Sequence, residues 1–329
     1  MHIPDNYLSP ATCAVMGAVM IPIWTRSVKK VKKEITKEKM PLMGIGASFS
    51  FLTMMFNIPL PGGTTGHAVG GTLLAILLGP EAACISITVA LLIQALLFGD
   101  GGVLAFGANC FNMAFIIPFV GYYIYKFLKE RIKTGKGEYI ATLIASYIGI
   151  NAAALFAAIE FGIQPLLFND AAGMPLYCPY PLSITIPSML IPHLAVAGIL
   201  EAIITVGVLS FIRKVSPAII YEGSNTKAKP IYALIIALIC LSPLGLLATG
   251  TAWGEWGTDE ISSVVTGGNT LGFVPKGMEN GFSFSTLMPD YSIQGLPESL
   301  GYILSAVAGV AIFLIVFRII ASMKKKTKA

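Results

Sequence analysis

The sequence predicts an all-α integral membrane protein of about nine transmembrane helices, on three observations. Apolar residues make up 55% of the 329 positions and charged residues only 12%, about half the charged share of a typical soluble domain. The apolar residues gather into nine runs, most of them near the roughly 20 residues that a helix needs to cross a bilayer. Lysine and arginine fall almost wholly into alternate connections between those runs. Abundant glycine (34) and proline (20) suit membrane helices, where neighbouring helices can re-satisfy broken backbone bonds.

The runs lie at residues 10–25, 40–56, 67–79, 81–98, 103–126, 139–163, 187–212, 231–249 and 300–320. The third is short. Gly62, Gly63, Gly66, Gly70 and Gly71 around its start permit a tilted or broken helix led in by a loop buried in protein. Of the 22 Lys and Arg residues, seven fall in 26–39, five in 126–136, four in 213–229 and five in 318–328, leaving only Lys276 on the other side. The positive-inside rule places those four segments in the cytoplasm, the N-terminus outside and the C-terminus inside, as an odd number of spans requires. The basic runs are thus topology signals, and no nucleic-acid partner is expected.

The first run has no basic region ahead of it and its charges follow it, the reverse of a cleaved leader. Met1 is therefore expected to stay attached and to face outward. Its removal by aminopeptidase would need a small second residue, and His2 is large. Five scattered cysteines, Cys13, Cys84, Cys110, Cys178 and Cys240, suggest neither a disulfide framework nor a zinc site.

Two stretches carry the chemistry, MHIPDNYLSP at the N-terminus and PGGTTGHAVGG around His67. Met1 and His2 together offer an α-amine, an amide nitrogen and an imidazole, which close a five-membered and a six-membered chelate ring on one ion. A fourth nitrogen such as the His67 ring completes a square plane, the geometry that suits Ni(II) or Cu(II) and is open to low-spin Co(II). Pro4 lets the leader bend without a further N–H to satisfy. The plain alternative is that His2 belongs to a frayed, solvated terminus. His67 opens the third run, which enters from outside, so both histidines lie on one side of the membrane at similar depth.

Other polar residues admit two readings. Asp100 sits in the GDGG turn, and Asn109 and Asn112 follow on one helical face. They either support the imidazoles from a second layer or hydrogen-bond the turn and adjacent helices. Glu160 and Glu201 are carboxylates in or near the membrane and so functional candidates, although Glu160 lies close to the outer end of its run. His193 is expected to bond a neighbouring helix. Small residues four apart, Ala14 and Ala18, Gly44 and Ser48, allow close helix approach within the bundle or docking of a partner membrane subunit.

Residues 1–215 form the seven-span part and 216–230 a cytoplasmic linker. Residues 231–329 hold two further spans around an outside loop at 250–299, with Trp253, Trp256 and six carboxylates against Lys276. Two helices and a loop make no core alone, so this unit is expected to pack on the first seven spans as an accessory module.

The leader, the His67 loop, the segment QALLFGDGGVLAFGANCFNMA (Gln94 to Ala114) and the stretch HLAVAGILEAIIT (His193 to Thr205) together resemble the CbiM/NikM family. These are the substrate-binding membrane components of energy-coupling-factor cobalt and nickel transporters. The resemblance covers about residues 1–215 in order. The leader differs from the usual form at Asn6 and Tyr7, where Gly and Phe are common. It implies a seven-helix metal-capture subunit of the cell membrane whose ligands to Ni(II) or Co(II), the transported substrate, are the Met1 amine, the His2 amide and imidazole, and His67. It implies as partners a pair of cytoplasmic ATP-binding subunits and a coupling transmembrane subunit. The last hundred residues resemble a fused N-type accessory subunit by layout. No G-x-x-x-x-G-K-[ST] loop occurs in the sequence, so ATP use falls to the partners and the chain is expected to be a transport subunit rather than an enzyme. An alternative is an ion-coupled secondary metal carrier with Glu160 and Glu201 as relay groups, although such folds usually show inverted halves and no internal repeat is found. An intramembrane hydrolase would need a Ser or Cys partner for His193, and none is evident.

Overall fold

Backbone in a bilayer has no water to bond, and a helix satisfies its polar groups within one segment. In the computed structural model, which describes residues 1–37, 39–216, 229–266 and 268–323, the apolar runs are helices. In chain order they are α1 (Pro10–Glu34), α2 (Met40–Met55), α3 (Gly71–Leu78), α4 (Pro80–Phe98), α5 (Phe106–Arg131), α6 (Gly137–Gly162), α7 (Leu182–Val215), α8 (Lys229–Leu247) and α9 (Glu298–Met323). Seven of them, all but α2 and α3, are long and apolar enough to cross a membrane. Most of the expected 216–230 linker, residues 217–228, lies outside the described residues, as do 324–329 at the Lys-rich end.

Helices run further than the apolar runs that predict them. The segment 26–39, read as a loop from its charge, is helical as far as Glu34, and α5 continues to Arg131 instead of 126. Lysine and arginine can lay their stems along a helix while the charged end reaches water. Lys32 and Lys33 also fall in the last turn of α1, where a positive charge meets the helix dipole favourably. Lys30 reaches across to Glu81 in the first turn of α4, at 2.9 and 3.0 Å. At the same end Glu138 on α6 gathers the Tyr125 hydroxyl at 2.6 Å, Lys129 at 3.0 Å and Arg213, tying α5, α6 and α7 together. This basic end lies opposite the end that holds the N-terminal leader.

The connection from α2 to α3 is the irregular part of the bundle. A two-stranded hairpin, β1 (Ile58–Leu60) and β2 (Thr64–Gly66), leads into the buried segment His67–Gly70 and then into α3, only eight residues long. At 1.5 Å per residue α3 spans about 12 Å, so His67 is recessed well below the leader end of the longer helices. α3 fits among α5 and α6 because Gly121 and Gly149 present no side chain to Thr72. Three stretches near this loop, Gln94–Phe98, Cys110–Ile116 and His193–Ala197, are π-wound, a local widening frequent at functional sites. Each bears one polar side chain toward the interior: Gln94, Asn112 and His193 are all buried.

α9 packs along α2. Gly44 lies under Phe317, Gly309 lies under Phe51, and the Tyr302 hydroxyl donates to the Met55 carbonyl at 3.1 Å. The segment between α8 and α9 folds back over the leader end. It contains a small ladder, β3 (Val265–Thr266) with β4 (Asn269–Thr270), and one helical turn at Lys276–Glu279. Trp253, Trp256, Tyr180 and Phe161 form an aromatic group beneath it with ring centroids 5.5 to 6.1 Å apart.

Placing a methyl at Gly309 drives it into the fully buried Phe51 ring, and overpacking of this kind costs about 1–3 kcal/mol. Gly309→Ala is expected to lower the detergent melting temperature, whereas Gly17→Ala, whose added carbon meets nothing within 4 Å, leaves it in place. Equal melting of the two variants would contradict the α2–α9 contact.

Candidate metal centre

A leader without secondary structure normally frays. Here it is buried: Met1 is 6% exposed, His2 3% and Ile3 0%. The backbone of Ile3 is held on both sides. Its N–H donates to Asn109 Oδ1 at 2.7 Å, and its carbonyl accepts from Asn109 Nδ2 at 3.0 Å and from the Gly102 N–H at 2.8 Å. Asp5 accepts from the backbone N–H of Val103 at 3.0 Å and Leu104 at 2.7 Å, just ahead of α5, where unpaired N–H groups favour an anion. Gly102 allows this approach, since a side chain there would collide with Asp5 and Pro4.

The rest of the leader is tied with equal economy. Asn6 adopts φ 69°, a left-handed conformation in which Asn is among the least strained side chains after Gly. Its amide also makes two bonds to the Phe282 backbone, both 2.9 Å, so the departure from Gly fits this site. Tyr7 packs edge-on against Phe161 at 5.7 Å, and its carbonyl accepts from the Cys178 N–H at 3.0 Å. Ser9 caps α1 by accepting from Thr12 N–H at 3.0 Å, with Pro10 at the first helical position.

The clamp delivers His2 to His67. His2 Nδ1 and His67 Nε2 stand 3.2 Å apart, with ring centroids at 5.0 Å. Metal–nitrogen bonds of about 2.0 Å put adjacent donors about 2.8 Å apart, close to the separation of this pair. His67 Nδ1 lies 3.2 Å from the Ala68 carbonyl, which only accepts. Its proton is therefore on Nδ1, and Nε2 presents a lone pair. Among the described residues no group of three or more His, Cys, Asp or Glu side chains is arranged to hold a metal.

Negative charge surrounds these nitrogens. The Met1 amine pairs with Glu255 Oε1 at 3.3 Å, and His2 Nδ1 faces Asp100 Oδ1 at 3.0 Å. Burial, then the positive terminus, lowers the His2 imidazole to about 4, so the ring is neutral and free to bind near neutral pH. A cavity of about 550 Å³ adjoins both histidines. Asp100, Glu255, Asp290 and Glu298 line it, with no lysine or arginine among its lining residues.

Of the residues read from the sequence, Met1, His2, His67 and Asp100 meet here, and Asn109 acts on the Ile3 backbone rather than on an imidazole. Asn112 does not approach the histidines: its Nδ2 donates to Glu160 Oε2 at 2.8 Å. It lies three positions after Asn109, and the π-wound turn that begins at Cys110 shifts it off the Asn109 face. Glu201 is fully buried and accepts from Val69 N–H at 2.8 Å and Gly70 N–H at 3.0 and 3.1 Å. It thus caps α3 from another helix and steadies the loop that carries His67. His193 bonds the Met189 carbonyl of its own helix at 2.7 Å rather than a neighbouring one.

The sequence reading missed Asp5, Gln94, Glu255 and Tyr291. The Tyr291 hydroxyl donates to Asp100 Oδ2, and Gln94 Nε2 donates to both that oxygen and the Tyr291 hydroxyl, each at 2.9 Å. Tyr291 stacks on Phe98 at 4.9 Å, so an aromatic from the C-terminal module is built into the support of His2. Gln94, a lone amide in an apolar run six residues before Asp100, was the one signal available locally.

Residues 2–219 match the CbiM family, described as the cobalt uptake substrate-specific transmembrane region, and residues 227–326 match the PDGLE domain. The chain is 54% identical over 321 residues to the probable fused nickel transport protein LarMN of Lactiplantibacillus plantarum, covering 97% of each. It is 44% identical to the fused nickel transport protein NikMN of Rhodobacter capsulatus, over 100% of this chain and 99% of that one. A crystal structure of a truncated transition metal transporter is 58% identical, covers 65% of this chain and 99% of its own, and superposes with a TM-score of 0.62.

Gly102→Ala is expected to push Asp5 and Pro4 off their turn and free the leader without unfolding the helices. Modification of His2 by diethyl pyrocarbonate, suppressed in the parent protein by burial, then speeds up while the circular dichroism stays constant. An unchanged modification rate would contradict the clamp.

Proposed function

The chain belongs to the CbiM family of cobalt uptake substrate-specific transmembrane proteins, with a PDGLE region behind it, and from that premise we propose that it captures Ni(II) or Co(II) outside the cell through four nitrogens. These are the Met1 amine, the His2 amide and Nδ1, and His67 Nε2. The 3.2 Å approach of the two imidazoles beside the buried terminus carries the reading. Two positive charges on the ion, less one for the ionised amide, leave a net charge that Asp100 and Glu255 offset. The acidic cavity concentrates cations in front of the site.

The ion is the transported substrate. Nine crossings, seven in residues 1–215 and two in 231–329 joined by the 216–230 linker, put the leader end outside and the basic end in the cytoplasm of a cell-membrane protein. The separation of leader and basic residues to opposite ends of the bundle supports that orientation. Movement of the ion across the bilayer falls to cytoplasmic ATP-binding subunits and a coupling transmembrane subunit of the energy-coupling-factor type. The carrier alternative, with Glu160 and Glu201 as relays, is less well supported, since Glu201 is bonded into the loop backbone rather than open to a pathway.

His67→Ala is expected to remove high-affinity binding, by more than the roughly 10–100-fold that loss of an outer partner costs, and to leave the protein folded. His193→Ala costs stability more than affinity. Titration of both variants with nickel decides it: wild-type affinity in His67→Ala would overturn the four-nitrogen site.

Acid should weaken binding, because the amine and the amide release protons when the metal enters. The His2 ring, held at about 4, stays neutral through the same range, so the loss tracks the main-chain nitrogens and amounts to roughly tenfold or more per pH unit. A binding constant that is level from about pH 7 to about pH 5 would point to carboxylate ligands instead.

A further inference from the structure

α8 packs against α2 and α9, and on the side toward α7 it leaves a groove. Two cavities follow one another along this groove and share Phe49, Val208 and Leu234 in their walls. The larger has a volume of about 440 Å³. Along α8 the walls run from Ile231 to Leu241, about 15 Å of helix and so half of the roughly 30 Å hydrocarbon core of a bilayer. The lining is apolar except for Thr53, and its hydroxyl is already bonded to the Phe49 and Ser50 carbonyls at 3.0 and 2.8 Å.

Width, depth and the charge at the mouth select one kind of occupant. Leu200 and Val208, which bound the larger cavity on α7, lie about 12 Å apart along the helix, and about 440 Å³ over that length gives a cross-section under half that of a helix about 10 Å across. A hydrocarbon chain fits such a space and a helix does not. Gly207 lies in the interior of α7 and lines the larger cavity, although glycine weakens a helix interior relative to alanine. No neighbouring protein atom requires it, since a carbon added there meets nothing within 4 Å. Its small size keeps the groove open. At the basic end Lys214 lies two residues past Ile212, Lys229 two before Ile231 and Lys39 three before Leu42, and those three apolar residues all line the smaller cavity. Lys214 and Lys229 are exposed. Lysines between membrane helices at headgroup level attract anionic phosphate.

We propose that the groove between α7 and α8 binds one anionic phospholipid, its phosphate held by Lys39, Lys214 and Lys229 and one acyl chain laid along Phe49. The far end of the groove is closed by Ile58 and Ala68, and Ala68 is the neighbour of His67. The lipid thus fills the space between α7 and the C-terminal module and backs the loop that carries His67. The inference draws on the membrane placement of the bundle and not on the metal ligands.

The test uses the full-length protein in detergent, stripped of lipid and offered phosphatidylglycerol or phosphatidylcholine with identical chains, the bound lipid being counted by native mass spectrometry. The parent protein is expected to retain one phosphatidylglycerol and to prefer it to phosphatidylcholine. Gly207→Phe puts a ring into the groove and is expected to reduce retention to background, whereas Gly207→Ala keeps it. Lys39→Ser, Lys214→Ser and Lys229→Ser combined change only the mouth, so this variant reads the site even if Gly207→Phe does not fold. Its preference for phosphatidylglycerol is expected to fall by about fivefold for each lysine removed. Full retention in Gly207→Phe overturns the proposal, and so does a preference that survives removal of the three lysines. A parent protein that holds neither lipid, or both equally, overturns it as well.

Discussion

The two-sided hold on the Ile3 backbone, by Asn109 and the Gly102 amide, is the contact on which the rest of the structure depends. A leader without helix or strand has no regular structure of its own to hold it, and each ordered residue there gives up about 1–2 kcal/mol of backbone entropy. The molecule meets that cost with main-chain hydrogen bonds that seat the His2 ring beside His67. Asp5 fixes the next residues to the start of α5, Asn6 to the C-terminal module, and Ser9 to the first turn of α1. Each contact falls on a different element, so the leader is positioned by the assembled bundle rather than by any one helix.

The bilayer adds a second constraint. The His67 loop is non-helical backbone recessed inside the protein, tolerable in a membrane only where its polar groups find partners. Glu201 supplies two acceptor oxygens to Val69 and Gly70, and Gly70 itself needs φ 71° with the Phe49 ring pressed against it. The shortness of α3 follows from the same arrangement, since the chain spends residues 56–70 on the loop that carries His67 rather than on a regular span. The C-terminal module covers this depth from above: Tyr291 reaches Asp100 and Met288 N–H bonds the Leu97 carbonyl at 2.9 Å.

Much of this was legible in the sequence because it depends on local pattern. Apolar runs marked the helices, glycines marked the irregular third run, and the leader and the His67 loop, read together from the sequence, are brought together in the structure. Helix ends at Glu34 and Arg131 were not legible, since a lysine at the rim reads as loop by charge whether or not the helix continues beneath it. Of the two readings open for Asn112 the structure takes the bond to an adjacent helix, at Glu160, and the shared face with Asn109 fails because the turn between them is π-wound. Tyr291 and Glu255 had no local signal at all: they meet residues 191 and 254 positions away, and only the folding of the C-terminal module over the leader brings them there.

The central claim is that the chain terminus itself is a metal ligand, and its most direct test is to block it. One residue added ahead of Met1 turns the amine into an amide and moves His2 out of second position while deleting no side chain. Nickel bound per protein should fall to background in that form, whereas the same residue added behind Ala329 leaves loading at the parental level. Equal loading of the two extended forms, with nickel and again with cobalt, would contradict the account at its base.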